Sequence, residues 1–379
     1  MKVYSIAIRH YRNIENATVT FDPNVTCLIG NNAQGKTNVM EAVYYFARGK
    51  SFRGAADADL LKFGEKQFSL SLSYGKKERD ETLFYAYSEV YGKERLRKKN
   101  GVVLHKQSDL PGNFRAVLFC PDHLQMIKGT PGERRKFLDV ALSQIYPVYI
   151  GLYARYNKTL QNRSALLKAF QKGESRDERE LLVYSEAIAS LASEIYLYRK
   201  KYAGRLLEKA GAVLADLTRG KEVLSLSYKG DIDPETTDPQ EIKRQYNEVF
   251  TQNVKKEIAA GMTLYGIHRD DLILSVNGIS AKEYGSQGQQ RSLVLAMKMA
   301  EGYLSAEETG ETPVYLLDDV LSELDEDRRA FLFSGIRDAQ VIVSGCEKEY
   351  LLQSIQKMGQ ERNIKVIEVK DGTYSSSEP

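Results

Sequence analysis

Short apolar runs separated by turn residues dominate the first 120 positions. Val25-Thr26-Cys27-Leu28-Ile29 is a continuous strand-like run of the kind buried on both faces, and it leads straight into Gly30. From Thr37 to Ala47 the spacing turns helical, with Val39, Ala42, Val43 and Phe46 on one side. Phe68 to Tyr74 alternates strictly, which predicts a half-buried antiparallel strand, and Thr82 to Tyr87 predicts its return. Asn100-Gly101, set between Lys98-Lys99 and Val102-Val103-Leu104, predicts a two-residue hairpin turn.

The character changes after Pro121. From about Pro131 to Ala260 the pattern is helical and poor in glycine. Leu181, Tyr184, Ile188, Leu191, Ile195, Tyr198 and Tyr202 step by three and four, predicting one helix from Glu178 to Leu217. A coiled-coil seam and a bundle helix both fit that spacing. Strands and turns resume after Gly261, and Ser375 to Ser377 has the composition of a disordered tail. The pattern therefore predicts an α/β head built from residues 1–123 plus 262–379. It should combine a mixed sheet and helices with an antiparallel β subdomain, and carry a helical arm inserted at 124–261.

Composition narrows the class. A chain of 379 residues, 42% hydrophobic, can bury a full core. No apolar run is long enough to span a membrane, and Arg9, His10 and Arg12 precede any signal-peptide core, so a cytoplasmic protein is expected. Three cysteines without a CxxC pair and four histidines argue against structural zinc or disulfides. Cys27, Cys120 and Cys346 are expected to be buried, inert thiols. A net charge of +3 does not announce a nucleic-acid partner. The basic clusters are Arg95-Leu96-Arg97-Lys98-Lys99, Arg134-Arg135-Lys136 and Arg199-Lys200-Lys201, each compatible with an ordinary solvated face.

Three motifs carry chemistry. Gly30-Asn31-Asn32-Ala33-Gln34-Gly35-Lys36-Thr37 matches GxxxxGK[ST], between a strand and a helix. Its backbone N–H groups suit a phosphate cradle, Lys36 the β/γ-phosphates and the Thr37 hydroxyl a Mg²⁺ ion, which makes ATP the expected ligand. Val314-Tyr315-Leu316-Leu317-Asp318-Asp319 delivers two carboxylates to the end of an apolar strand, Asp318 toward the metal and Asp319 toward the attacking water. Ser286-Gln287-Gly288-Gln289-Gln290-Arg291 opens a helix, where Ser286, Gly288 and Gln289 would form a second anion site. Ser322-Glu323-Leu324-Asp325 follows the carboxylates.

This order of motifs is similar to that of ABC-type ATPases. Over nearly the whole length the chain resembles the RecF family of bacterial recombination mediators, which are related to SMC proteins. The likeness rests on Arg12-Asn13, Asn32 to Asn38, Glu41-Ala42, Gly49-Lys50-Ser51-Phe52-Arg53 and Phe119 to Asp122. Further matches are Gly132, Arg134 to Asp139, His268-Arg269-Asp270-Asp271 and Ser286 to Arg291.

The resemblance implies an ATP-dependent homodimer in which the Ser286 segment of one copy seals the triphosphate held by the other. It further implies binding of double-stranded DNA and single-strand/double-strand junctions, and recombinase loading with RecO and RecR in repair, replication and the SOS response. Arg53, Arg97, Lys98, Lys99, Arg134 and Arg135 are the candidate DNA contacts. For His268 to Asp271 a salt-bridged turn and a nucleotide-sensing role both stay open.

The chain departs from general ABC-type ATPases at three points. Cys120-Pro121-Asp122 closes a strand where a glutamine is expected, with Gln125 only nearby. Ser344-Gly345-Cys346 replaces a switch histidine, and Asp319 replaces a longer glutamate. A base displaced by about 1 Å costs on the order of a hundredfold in rate, so slow hydrolysis is expected, in a protein expected to act as a DNA-stimulated switch. An ATP-binding clamp without hydrolysis is the alternative. A transporter subunit fits the long insertion poorly, and helices of some 60 Å are too short for a chromosome-spanning arm.

Overall fold

The computed structural model describes residues 1–77, 79–174, 178–233, 235–356 and 363–377. In chain order the elements begin with β1 (Lys2–Tyr11), β2 (Ile14–Thr20), β3 (Val25–Ile29) and α1 (Lys36–Arg48). Next come β4 (Gln67–Lys76), β5 (Arg79–Ser88), β6 (Glu94–Lys99), β7 (Val102–Val103) and β8 (Ala116–Phe119). Helices α2 (Gln125–Lys128), α3 (Pro131–Ile145), α4 (Pro147–Gln171) and α5 (Glu178–Thr218) follow, then β9 (Leu224–Lys229) and α6 (Pro239–Ala260). The chain continues with β10 (Asp271–Val276), β11 (Ile279–Ser280), α7 (Gln287–Thr309), β12 (Val314–Leu317) and α8 (Glu326–Gly335). It closes with β13 (Val341–Gly345), α9 (Lys348–Gln356), β14 (Ile364–Lys370) and β15 (Thr373–Ser377).

Two units divide these elements. The first comprises Met1–Leu124, Ala212–Lys221 and Arg291–Pro379. It holds two six-stranded sheets, an antiparallel one ordered β2-β1-β4-β5-β6-β7 and a mixed one ordered β15-β14-β3-β13-β12-β8. In the mixed sheet every neighbouring pair is parallel except β14 with β15. The apolar run at Val25–Ile29 is buried along its length because it lies between β14 and β13. Helix α1 contacts strands of both sheets, and every residue from Val39 to Ala47 is accordingly buried. The alternation at Phe68–Tyr74 resolves as β4, with Phe68, Leu70, Leu72 and Tyr74 inward. Asn100 (φ 49°) and Gly101 (φ 82°) make the tight turn joining β6 to β7. This is the expected α/β architecture of mixed sheet plus antiparallel subdomain.

The second unit comprises Gln125–Gly211 and Glu222–Gln290. Helix α5 is 41 residues long, close to the expected bounds. Its buried positions include adjacent pairs, among them Ile188-Ala189, Ile195-Tyr196 and Tyr202-Ala203, a broader face than a coiled-coil seam provides. Buried charge ties the helices together. Arg163 on α4 bonds Glu257 on α6 at 2.6 Å, and Arg199 on α5 makes two 3.0 Å bonds to Asp139 on α3.

The structure departs from two expectations here. The segment 124–261 is not wholly helical, because β9 pairs with β10 and places residues 222–290 in one unit with the preceding helices. The serine-rich stretch Ser375 to Ser377 is strand, held by antiparallel pairing to β14 from Val366↔Ser377 to Lys370↔Thr373. Backbone pairing there offsets the entropy that its composition favours. Among the described residues no helix is long and apolar enough to cross a membrane.

Candidate functional site

The loop between β3 and α1 is built for close backbone approach. A side chain on Gly30 would collide with the Val369 carbonyl oxygen. Gly35 adopts φ 119° with the Tyr374 hydroxyl 2.9 Å from where a Cβ would stand. Ala33 also takes a left-handed conformation, φ 65°. Asn31, Asn32 and Ala33 are exposed at the crest of the loop, Gln34 is half-buried, and α1 begins at Lys36 with its first-turn N–H groups facing the loop.

Lys36 is only 6% exposed. Its Nζ donates to the carbonyl oxygens of Gly30 (2.5 Å) and Asn31 (2.9 Å) and lies 3.6 Å from the Cys346 sulfur. Among the described residues no carboxylate pairs with it. A buried ammonium held by backbone carbonyls and a thiol, with no paired counter-charge among the described residues, is costly, and the arrangement is suited to an anionic ligand.

At the C-terminal end of β12 the two carboxylates differ in burial. Asp318 is buried, and its Oδ1 accepts from the Thr37 hydroxyl and from the Ser344 hydroxyl, each at 2.9 Å. Burial raises its pKa, partly opposed by those two bonds. Asp319 is exposed, with a left-handed backbone at φ 53° and its N–H held by the Ser344 hydroxyl at 3.0 Å. That conformation costs a residue with a Cβ on the order of 1 kcal/mol. Asn32, Asp319, Ser322, Cys346 and Tyr350 line a cavity of about 390 Å³.

Thr37 and Asp318 supply hard oxygen donors in contact, which fits Mg²⁺, an ion that takes one or two protein oxygens and fills its shell with phosphate and water. Among the described residues no cluster of three or more His, Cys, Asp or Glu side chains offers a self-sufficient metal cage. A metal here would therefore depend on the bound anion.

Ser286 stands exposed immediately ahead of α7. Its hydroxyl accepts from the Gln289 N–H at 3.2 Å while the Gln289 side chain accepts from the Ser286 N–H at 3.0 Å. This is a reciprocal capping box, with Gly288 in the same first turn. Ser286 and Gln287 are exposed, and Gly288 and Gln289 are half-buried.

The basic candidates separate. Arg53 is partly exposed, 3.2 Å from Asn38 Oδ1 and 3.9 Å from buried Glu41. Lys98 is half-exposed beside the Phe84 ring, and Lys99 pairs with Glu81 at 3.1 Å. Arg97 is buried over the Tyr85 ring. Arg134 is buried in a bidentate bond to Asp271 at 2.6 and 2.8 Å, and Arg135 donates to the Asp270 carbonyl at 2.6 Å. Arg97 and Arg134 are buried, Arg97 against an aromatic ring and Arg134 in an ion pair, while Arg135 is part-buried with a backbone partner, so Arg53 and Lys98 are the more open of the six candidates. Asp271 pairs with Arg134 and Asp270 lies 3.6 Å from Arg199, so a salt-bridged turn accounts for His268 to Asp271.

Cys346 corrects another expectation. It is exposed, with its thiol 3.1 Å from Asn32 Oδ1, because it follows β13 at the open end of the sheet rather than within it. Gln125 begins α2 in the second unit. Sequence reasoning assigned no role to Asn13, Ser344 or Tyr374, although each bonds the loop or its carboxylate. Asn13 stands among the residues of the family likeness and Ser344 in the place of a switch histidine, whereas nothing in the local pattern marks Tyr374.

A phosphate-type loop on the central strand, a carboxylate at the end of the next strand but one, and a capped SxGQQ helix start define the head of an ABC-type P-loop ATPase. The model of the RecF/RecN/SMC N-terminal domain matches residues 2–375. The chain is 37% identical over 338 residues to the DNA replication and repair protein RecF of Geobacillus thermodenitrificans, covering 89% of this chain and 90% of that one. It is 34% identical over 383 residues to RecF of Clostridioides difficile, covering 100% and 99%. Among solved structures, the recombination mediator protein RecF-ATP of the RecFOR pathway superimposes with a TM-score of 0.90 at 29% identity, covering 100% of this chain and 98% of that chain. An SMC head bound to the C-terminal winged-helix domain of ScpA shares the fold, with a TM-score of 0.57 at 14% identity over 100% and 97% of the two chains. The chain belongs to the RecF/RecN/SMC family and, within it, to the RecF proteins.

Proposed function

We propose that this chain is an ATP-gated DNA-binding protein of recombinational repair and replication restart. The observation that carries the reading is Lys36, a buried ammonium whose hydrogen-bond partners among the described residues are two backbone carbonyls and a thiol, at the mouth of a helix N-terminus. Residues Gly30 to Thr37 would hold the triphosphate of ATP, and Thr37 and Asp318 would hold Mg²⁺, which supplies charge neutralisation at the phosphates. Asp319 orients the attacking water. Its short side chain makes hydrolysis slow, a reset rather than a motor stroke.

In this reading Ser286, Gly288 and Gln289 of a second copy close over the same triphosphate, so ATP shifts monomer to dimer. The dimer grips duplex DNA beside single-stranded gaps, with Arg53 and Lys98 as phosphate contacts, and cooperates with RecO and RecR in loading recombinase. Support comes from the RecF-ATP structure and from the exposure of Ser286 at the start of α7.

Sedimentation with ATP, with and without duplex DNA, tests the shared site in wild type, Lys36→Ala and Ser286→Arg. Wild type should dimerise. Lys36→Ala should lose nucleotide binding, and Ser286→Arg should bind ATP yet stay monomeric. An ATP-induced dimer of Ser286→Arg would refute the shared site.

A further inference from the structure

The outer side of the phosphate loop is not left to solvent. Strand β14 pairs in parallel with β3 up to Glu368↔Ile29, so the β14–β15 turn projects past the end of β3, level with the loop. From that turn the Asp371 N–H donates to the Gln34 side-chain oxygen at 2.7 Å, and the Gly372 N–H donates to the Gln34 carbonyl at 2.9 Å. The Tyr374 hydroxyl donates to the Gly35 carbonyl at 3.1 Å. Asn13 adds a fourth bond to this side, its Nδ2 donating to the Gln34 carbonyl at 3.1 Å.

These contacts act on peptide orientation. In a planar trans peptide the C=O of one residue and the N–H of the next point in opposite directions. Holding the Gln34 and Gly35 carbonyls against the hairpin therefore turns the N–H groups of Gly35 and Lys36 away from it. Those are the donors a phosphate cradle needs. The fit is tight. A Cβ on Gly372, which sits at φ 75°, would stand 2.7 Å from the Asn13 carbonyl oxygen, and a Cβ on Gly35 would press on the Tyr374 hydroxyl. Burial raises the pKa of that hydroxyl, a group already protonated and able to donate at neutral pH.

We propose that the β14–β15 hairpin is a clamp that preorganises the phosphate loop, with Tyr374 and the Asp371-Gly372 turn as positioning elements for nucleotide binding. The proposal rests on the nucleotide reading above. A loop already set for the anion spends no binding free energy on ordering itself.

The test compares affinity for a fluorescent ATP analogue, the KM and kcat of hydrolysis, and Tm in wild type, Tyr374→Phe, Gly372→Ala and Tyr303→Phe. Tyr303 donates to the Gly335 carbonyl at 3.2 Å elsewhere in the same unit and controls for loss of a hydroxyl as such. Tyr374→Phe should weaken nucleotide affinity and raise KM about three- to tenfold, the effect of one hydrogen bond, with kcat at saturation and Tm nearly unchanged. Gly372→Ala should weaken affinity further, and Tyr303→Phe should not move it. Unchanged affinity in both hairpin variants, or a lowered Tm with affinity intact, overturns the clamp. Failure of wild type to bind the analogue would instead overturn the nucleotide reading.

Discussion

The Thr37 hydroxyl donates to the Asp318 carboxylate across 2.9 Å, joining the first turn of α1 to the end of β12 over a separation of 281 residues. Two hydroxyls converge on one buried carboxylate oxygen whose pKa burial raises. The ionised form is thus held at a cost in the folded chain, a cost that a bound cation would offset. Asp318→Asn keeps the shape and an accepting oxygen but removes the charge. It should raise Tm at neutral pH, abolish the gain in ATP affinity on adding Mg²⁺, and slow hydrolysis by about a hundredfold or more. Magnesium titrations of ATP binding and a thermal melt check all three, and an undiminished magnesium effect would remove Asp318 from the site.

Cys27 and Cys120 are buried, and burial pushes both thiols up to about 12, whereas Cys346 is exposed beside Asn32 and Lys36. A maleimide reagent should therefore modify one thiol in the native protein, and saturating Mg-ATP should slow that reaction at least about tenfold. Mass spectrometry of the labelled peptide decides the matter. Equal labelling with and without ATP would place the triphosphate elsewhere.

Arg53 and Arg134 should separate DNA binding from folding. Arg134→Ala strands Asp271 without its bidentate partner and should cost about 3 kcal/mol of stability, visible as a lowered denaturation midpoint. Arg53→Ala should leave the melt nearly unchanged. It should weaken duplex DNA binding and reduce the slope of log affinity against log salt by about one.

His268 should make the second unit acid-sensitive. Burial lowers its pKa from 6.5 to about 4. The folded state thus binds its proton less well than the unfolded state. Stability from this group is complete above 6.5 and is lost as pH falls toward 4. Neighbouring Asp270, raised to about 6 by burial, works in the opposite sense, gaining stability on protonation. A His268→Asn variant retains Asp270 and should lose about 1–2 kcal/mol less stability than wild type between pH 7 and pH 5. Denaturant titrations at the two pH values would expose an error in sign.

The site was legible where chemistry fixes spacing. The Gly30–Thr37 loop needs its glycines and Lys36 within one turn of backbone, and Asp318 needs an apolar strand to carry it, so both announce themselves locally. The fold was legible where burial sets a period, as in β3, β4 and α5. What escaped detection depends on distant partners. Strand β9 sits among helices and is strand because β10 completes it. Ser375 to Ser377 are ordered by β14 rather than by their own composition. Arg97 and Arg134 look like surface cations until Tyr85 and Asp271 are found beside them.

Strand β3, made early, is flanked by β13 and β14, with Val25 opposite both Val341 and Ile364. At roughly 5–20 residues per second a ribosome takes tens of seconds to supply those partners. Throughout that interval β3 has two unsatisfied edges, and the β14–β15 turn that bonds Gln34 has not been made. A nascent chain stalled before β13 should accordingly be unable to retain ATP and should be a ready client for chaperones that shield exposed strands.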